Sequence, residues 1–476
     1  MRCRAVSFET AGFAEGKRTL MTEIAQRGHG MQRDTVYALS SGGLPTGVAV
    51  LRVSGRDARV AFETMMGRLP EPRKATLARL HDPETGELID ASLVLWFPGP
   101  ASFTGEDVAE IQCHGGRAVV AALLRVLGRL PGYRAAEAGE FTRRAFDNDR
   151  LDLLEAEGLA DLIHAETEAQ RRQAVSQMGG ALGAVYDDWR RRLIRMRAMI
   201  EADFDFADED DVPGSVADRI WPEAEGLRDE IDAHVARSRG AERLRSGIQV
   251  ALLGRPNSGK SSLLNAIAQR DVAIVTEEAG TTRDVIEVHL DLAGYPVTLI
   301  DTAGIREAEG EVEREGIRRA LQRAADADLV LWLIDPDEAD QEGDAAPDMA
   351  APVWTIETKV DLARQEPSAA IQDDDASLFR VSARTGAGLV SLISSLGSFA
   401  RDTAGTSSDP VATRDRHRGW IAVARESLSA AISADRPLEL RAEDLRSAAD
   451  ALGRISGRVG VEDLLDVIFA EFCIGK

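Results

Sequence analysis

The residue pattern with the clearest chemistry in this chain is the segment 254–261, which reads GRPNSGKS. It directly follows the apolar run 248–253. A strand, a glycine-rich loop and a helix start in this order can curl backbone N–H groups around phosphate oxygens. Lys260 would place its charge on the β- and γ-phosphates, and the Ser261 hydroxyl would ligate Mg²⁺. An ordinary strand–turn–helix is the alternative, but the context on both sides favours a nucleoside triphosphate site.

Segments further along the chain narrow the nucleotide to guanine. The segment 280–284 reads GTTRD, and a threonine hydroxyl there would complete the Mg²⁺ shell while the γ-phosphate is bound. The segment 301–304 reads DTAG after a strand-like run, so its aspartate can hold the metal through water and its glycine can sense the γ-phosphate. In 358–361, TKVD, the lysine and aspartate have a spacing that suits guanine, and 382–384, SAR, would close over the base edge.

Two residues distinguish this pattern from that of a Ras-type GTPase. Ile305 stands where Ras-type enzymes carry the glutamine that orients the attacking water, so that role must come from elsewhere. The acidic segment 307–313 is nearest, and Glu313 is our candidate catalytic residue. Asn257 is a neutral ligand suited to a monovalent cation, which would spread charge as an arginine finger does, a role worth about 10³–10⁵ in rate. Alternatively, Asn257 only hydrogen-bonds the loop and the acidic run is a solvated helix face.

The family is indicated by motifs outside this region, because GRPNxGKS and GTTRD occur in several bacterial GTPases, including ribosome-assembly ones. The chain ends in EFCIGK at 471–476. The N-terminal third agrees, through motifs at 50–55 (VLRVSG), 103–108 (FTGEDV), 114–116 (HGG), 139–146 (GEFTRRAF) and 151–157 (LDLLEAE). From about Asp34 to Lys476 the chain resembles the MnmE (TrmE) family of tRNA-modification GTPases.

This resemblance implies the reaction, the cofactors and the partners. The chain would hydrolyse GTP as a K⁺-dependent enzyme and, with the FAD-dependent partner MnmG, form a heterotetramer or larger assembly. Together they would install an aminomethyl-type group, carboxymethylaminomethyl, at the five position of the tRNA wobble uridine. The carbon would come from 5-formyl- or methylene-tetrahydrofolate, and the nitrogen from ammonium or glycine. FAD would belong to the partner, because this chain has no dinucleotide fingerprint. A homodimer through residues of about 34–150 is also implied.

Site residues carry over by motif. Mg²⁺ would be held by Ser261 and Thr282, and K⁺ by Asn257, Thr276, Glu278 and Thr281. The folate would meet Arg52, Glu110, Arg150 and Lys476. The expected GTP contacts are Asn257, Ser258, Gly259, Lys260, Ser261, Ser262, Thr276, Glu277, Glu278, Ala279, Gly280, Thr281, Thr282, Asp301, Thr302, Ala303, Gly304, Thr358, Lys359, Val360, Asp361, Ser382, Ala383 and Arg384.

Two of these positions depart from the family pattern, and several roles have alternatives. Arg150 replaces the usual lysine, which keeps the charge and changes the donor geometry. Thr358 replaces asparagine, so it keeps a hydroxyl for loop bonding and loses an amide donor to the base. Arg52 and Glu110 could instead form a structural ion pair. The thiol of Cys473 could take part in the one-carbon chemistry or only pack the tail.

Composition limits the class of protein. A chain of 476 residues suits about three domains of ~150 residues, and no apolar run approaches the ~20 residues of a membrane span. Three cysteines, Cys3, Cys113 and Cys473, are odd in number and far apart, which indicates a reducing compartment and a cytoplasmic protein. The net charge, 57 − 80 = −23, is awkward for a protein that acts on RNA. A local arginine cluster at 190–197 or a partner that holds the RNA would resolve this, and we favour the partner.

The pattern along the chain predicts a multidomain protein. An α+β N-terminal domain for folate binding and dimerisation covers 31–150, after a disordered extension or upstream start at 1–30. An all-α helical domain covers 151–245 and, with the FCIGK tail, 401–476. An α/β P-loop GTPase domain of Ras-like type, 246–400, is inserted between its halves, and a linker is expected from Asp402 to Pro410. Two alternatives to the tRNA-modification enzyme are a ribosome-assembly GTPase and a folate-binding scaffold that does not hydrolyse GTP.

Overall fold

The computed structural model describes residues 34–205, 220–255, 257–270, 272–274, 286–301, 326–335, 349–362, 377–405, 410–460, 465, 468–470, 472 and 475. The chain forms two compact units, one of Met1–Ala156 with Gly460–Lys476 and the other of Glu157–Val459. The predicted extension at 1–30 lies outside the described residues. The five predicted domain bounds are finer than this division and stay predictions.

The first unit contains a six-stranded sheet with strand order β3-β4-β5-β2-β1-β6, in which only the β1–β6 pair is parallel. One sheet face packs on α1 and α2, because alternate residues of β5, such as Ile111 and Cys113, point into that core. The predicted α+β class is therefore confirmed. The elements are β1 Thr35–Leu39, β2 Thr46–Ser54, α1 Arg59–Met66, β3 Thr76–His81, β4 Leu88–Phe97, β5 Val108–Gly115, α2 Arg117–Arg129, β6 Tyr133–Ala135 and α3 Glu140–Asp147.

The described tail residues pack within this first unit. The rings of Phe469 and Phe146 lie 6.2 Å apart, and Ser40 Oγ donates to the Gly475 carbonyl at 2.7 Å. A Cβ at Gly475 would lie 2.2 Å from the Leu39 carbonyl oxygen, and its φ is +101°, so only glycine fits there. The sequence groups the tail with the second half of the helical domain, and the resemblance brings its end to the folate residues; these contacts lie on the N-terminal sheet.

The second unit contains a sheet of order β12-β11-β10-β7-β9-β8, parallel except for β8. Its central strands are almost continuously apolar because helices cover both faces of such sheets. The predicted α/β class is confirmed. The elements are β7 Ile248–Gly254, α8 Lys260–Ala268, β8 Ile286–Leu292, β9 Tyr295–Asp301, β10 Leu329–Ile334, β11 Val353–Glu357, β12 Leu378–Arg380 and α9 Leu389–Ala404.

Helices precede and follow this sheet in the chain, as predicted. They are α4 Leu153–His164, α5 Glu168–Met178, α6 Ala181–Asp205, α7 Trp221–Ser246, α10 Asp415–Ile432 and α11 Leu438–Ile455. None of the helices in the described part of the chain is long and apolar enough to cross a membrane. The predicted linker start at Asp402 is wrong, because α9 continues to Ala404.

The arginine cluster of α6 is largely neutralised by neighbouring carboxylates. Arg191 pairs with Asp188 at 3.1 Å, Arg192 with Glu230 at 2.8 Å, and Arg197 with its helix neighbour Glu201. Such pairs on a helix surface are typical of a solvated face. Three of the five arginines of the cluster therefore lie beside carboxylates.

Candidate functional site

A tight loop joins β7 to α8 at the carboxyl edge of the second unit's sheet. Gly254 ends β7 where a Cβ would lie 2.5 Å from the Leu333 carbonyl oxygen, so the loop leaves the sheet at a point that only glycine allows. Asn257 has a φ of +63°, and Gly259 is the N-cap of α8. The N-terminus of α8 therefore opens onto the loop, as an anion-binding site requires.

Lys260 and Ser261 lie in the first turn of α8 and face this loop. Lys260 Nζ donates to the carbonyls of Gly254 and Arg255 at 2.8 and 2.7 Å, so its ammonium group sits over the loop. Burial lowers the pKa of Lys260, and the negative charge of Asp301 acts in the opposite direction. The side-chain nitrogen of Lys260 therefore lies beside the place where the sequence predicts phosphates.

The Ser261 hydroxyl meets the carboxylate of Asp301 because β7 and β9 are parallel neighbours. Their carboxyl ends lie at the same edge, and Ser261 Oγ donates to Asp301 Oδ2 at 2.8 Å. A hydroxyl and a carboxylate oxygen are hard ligands of the kind that Mg²⁺ prefers. These residues fit the predicted metal role, the aspartate acting directly or through water.

A cavity of about 330 Å³ lies beside the loop at the same sheet edge. Its walls include Gly259, Ser262, Leu263, Thr358, Lys359, Asp361, Leu362, Val381, Ala383 and Arg384. Apolar walls with a carboxylate at one end are what a planar base with ring N–H donors needs. The structure thus brings most of the described guanine-motif residues around one cavity next to the phosphate loop.

Two side-chain contacts hold the guanine motif in place. Thr358 Oγ1 lies 2.8 Å from the Ser258 carbonyl and 3.2 Å from the Ile334 carbonyl, so its hydroxyl ties this motif to the phosphate loop. The predicted loop bonding by threonine is confirmed. Lys359 Nζ donates to Asp335 at 2.6 Å. The sequence reasoning missed Asp335, although its place directly after β10 is a position where functional residues of parallel sheets collect.

Other predicted site residues fall outside the described residues. They are Thr276, Glu277, Glu278, Ala279, Gly280, Thr281, Thr282, Thr302, Ala303, Gly304 and Glu313, with Cys473 and Lys476 of the tail. The proposed K⁺ ligands other than Asn257 and the candidate catalytic residue are therefore untested by the geometry, and their roles stay predictions.

In the first unit, Arg52 and Glu110 face each other across β2 and β5. Arg52 Nε donates to Glu110 Oε1 at 3.0 Å, and the guanidinium also lies over the rings of Phe103 and Phe141. Each side chain is about one-fifth exposed. The ion pair named as the alternative therefore exists, and it leaves both groups reachable from solvent. Arg150 lies beside Gly105 in the same unit.

Cys113 is buried in the first unit's core. Burial, with the nearby Asp90 carboxylate, raises the pKa of its thiol to about 11. The thiol is therefore protonated at neutral pH and has a packing role.

The strand–loop–helix, the Ser261–Asp301 contact and the adjoining base cavity define a P-loop GTPase. Residues 153–473 match the family profile of the MnmE helical domain, and residues 35–150 match that of the GTP-binding protein TrmE N-terminus. The chain belongs to the MnmE family.

Curated relatives agree over nearly the whole chain. The tRNA modification GTPase MnmE of Rhizobium meliloti (strain 1021) is 55% identical and covers 94% of this chain and 100% of its own length. That of Sinorhizobium medicae (strain WSM419) is 54% identical, covering 93% and 99%. A crystal structure of an Aquifex aeolicus Era variant bound to GDP.AlF4- is 24% identical and covers 38% of this chain and 66% of that chain. The TM-score of this comparison is 0.27.

Proposed function

We propose that this chain is the GTPase of a tRNA wobble-uridine modification system. The observation that carries the proposal is the joint placement of Lys260, the Ser261–Asp301 pair and the base cavity in a chain of the MnmE family. Relatives named as tRNA modification GTPases extend over both units, which favours this function over the ribosome-assembly alternative.

Nucleoside analysis of tRNA tests the proposal directly. A strain that lacks the gene should lose the modified wobble uridine, and the wild-type chain should restore it. Lys260→Ala should not restore it, because the ammonium group over the loop would be missing. The matched control is Lys74→Ala, which removes a surface lysine of the first unit that pairs with Glu71. Full restoration by Lys260→Ala would contradict the need for GTP.

The chemistry of modification requires a partner and a one-carbon donor. The chain works with the FAD-dependent MnmG in a heterotetramer or larger assembly in the cytoplasm. It binds 5-formyl- or methylene-tetrahydrofolate through Arg52, Glu110, Arg150 and Lys476. The partly exposed Arg52–Glu110 pair supports this, because a pterin can donate to the carboxylate while a glutamate carboxylate meets a cation. Calorimetry with 5-formyl-tetrahydrofolate should show weaker binding by Glu110→Gln than by the wild type.

Hydrolysis depends on K⁺ as well as Mg²⁺. The left-handed backbone at Asn257 supports this, because it sets that residue in a turn of the phosphate loop itself, where its amide oxygen can serve as a cation ligand. GTP turnover should be much faster in K⁺ than in Na⁺ at equal ionic strength. Equal turnover rates in the two salts would leave Asn257 with loop bonding alone.

Glu313 orients the attacking water, since Ile305 has no group that could. Glu313→Ala should lower the catalytic rate by about 10²-fold or more, the usual range for a positioned acid–base group, with little change in GTP affinity. A variant with near-normal turnover would transfer the role to Glu307, Glu309 or Glu311.

Two copies associate through the first unit. Leu77, Leu93, Gln112 and Val50 are direct cross-strand neighbours and therefore lie on one sheet face, opposite the α1–α2 core. Leu77 is 70% and Leu93 42% exposed, so two neighbouring leucines of this row face solvent. Exposed apolar patches of this kind mark protein interfaces. A second copy of the chain is the partner that we propose.

A further inference from the structure

Both carboxylate oxygens of Asp361, the residue that we expect to read guanine, are already bonded within the protein. Ser382 Oγ donates to Oδ1 at 2.6 Å, and Arg384 Nε donates to Oδ2 at 2.8 Å. A second nitrogen of Arg384 lies 2.7 Å from the same Oδ2. Because a carboxylate oxygen offers about two lone pairs, the serine leaves room on Oδ1, whereas the guanidinium covers Oδ2.

The two donors are held very differently. Ser382 is fully buried, its Oγ accepts from the Thr385 N–H at 3.1 Å, and its own carbonyl accepts from the Gly386 N–H at 2.9 Å. The serine is therefore a fixed part of the loop. The Arg384 side chain is 74% exposed, while that of Asp361 is 12% exposed. Exposed ion pairs are weak and cost little to open.

Guanine needs both oxygens, because its ring N–H and its exocyclic amine each donate to one of them. We propose that Arg384 competes with the base for Oδ2 of Asp361 and so sets how tightly the site holds guanine nucleotides. This rests on the proposed GTPase function and adds a role to one residue of the site. Arg384 must turn toward solvent when the base enters, and it can return to Oδ2 as the base leaves.

Whether the removal of Arg384 tightens or weakens GDP binding shows whether this side chain competes with the base or helps to hold it. An exposed pair of this kind contributes at most about a fivefold factor, so removing it should tighten GDP binding by about two- to fivefold. Loss of a positive charge near an anionic nucleotide would, by itself, weaken binding. A side chain that held the base or positioned Asp361 would also give weaker binding when removed.

The test uses the full chain and calorimetric titration with GDP in Mg²⁺. Arg384→Ala and Arg384→Gln should both bind GDP about two- to fivefold more tightly than the wild type. Arg380→Ala is the matched control, because it removes another partly exposed arginine, paired with Glu357 at 2.6 Å on β12. That control should bind GDP as the wild type does.

Each outcome has a defined consequence. Unchanged or weaker GDP binding by Arg384→Ala, in a wild type that binds GDP, would overturn the competition and leave the GTPase intact. Tighter binding by the Arg380 control as well would also overturn it, because the effect would then be general. A wild type that binds GDP no better than ADP would instead overturn the proposed guanine site.

Discussion

The Thr358 hydroxyl is the contact whose removal has the most direct consequence for the base site. Thr358→Val replaces the hydroxyl with a methyl group of similar size in a residue that is 4% exposed, so its main effect is the loss of the polar group. The hydroxyl has one proton and lies near two carbonyls, with Ser258 as the closer acceptor at 2.8 Å. The variant therefore loses about one buried hydrogen bond and leaves a loop carbonyl unsatisfied.

A hydrogen bond of this kind contributes a net ~1 kcal/mol, and an unsatisfied buried acceptor costs about 1–3 kcal/mol. If GDP binding must reorder the phosphate loop at a free-energy cost of about 1–2 kcal/mol, the affinity for GDP falls by about 5- to 30-fold. The lysine and aspartate of the motif remain, so selectivity for GDP over ADP should persist while both affinities fall.

The assay is calorimetric titration of the full chain with GDP in Mg²⁺. Thr355→Val is the matched control, since Thr355 is a half-buried threonine of the neighbouring strand β11 and lies away from the cavity. Thr358→Asn installs the residue usual in the family and should bind GDP within a few-fold of the wild type. Wild-type affinity in Thr358→Val would refute the idea that this hydroxyl holds the two loops together.

Three further predictions concern other parts of the chain. Burial raises the pKa of Glu157, but the adjacent histidine and arginines outweigh it and hold the value at about 2, below the ordinary 4.5. The stability that the ionised Glu157 gives the fold is therefore fully present above about pH 4.5 and is lost as the pH falls toward 2. Glu157→Gln should lower the free energy of unfolding by ~3–5 kcal/mol at pH 7. The control Glu426→Gln, which changes an exposed carboxylate, should not lower it. Cys473→Ser should retain GTP turnover and lose the modified uridine; if both survive, the tail is structural, and if both fail, it supports the fold. Leu93→Asp should give monomers in light scattering at unchanged helical content, and a persistent dimer would place the interface elsewhere.

The base-binding and phosphate-binding motifs could be predicted from the sequence because their chemistry depends on local residue spacing. Lys260 and Ser261 follow a glycine loop at fixed offsets, and Lys359 and Asp361 follow a strand end. A parallel sheet collects such strand ends at one edge, so the order of motifs in the chain already predicts a shared site. The α/β class of this region and the α+β class of the first unit followed from the same alternation of apolar runs and turns.

The end of α9 and the position of the tail were harder to predict from the sequence. The Gly/Ser/Thr/Asp composition after Asp402 indicated a linker, yet α9 reaches Ala404, because that alanine packs into the sheet's core cluster. The resemblance brings the end of the tail to the folate residues of the N-terminal domain, but local composition did not indicate that Gly475 lies against Leu39, a residue at the other end of the chain. Packing between distant segments overrides local composition.

The class of nucleotide, the fold class of the described regions and the family could be predicted from sequence, because each depends on residue types at short spacings. Three features emerged from the folded chain: the groups that occupy the oxygens of Asp361, the bond from Thr358 to the phosphate loop, and the pairing of Asp335 with Lys359. Those contacts join strands and loops that are far apart in the chain. They arise from sheet order and loop conformation, which short-range spacing does not encode.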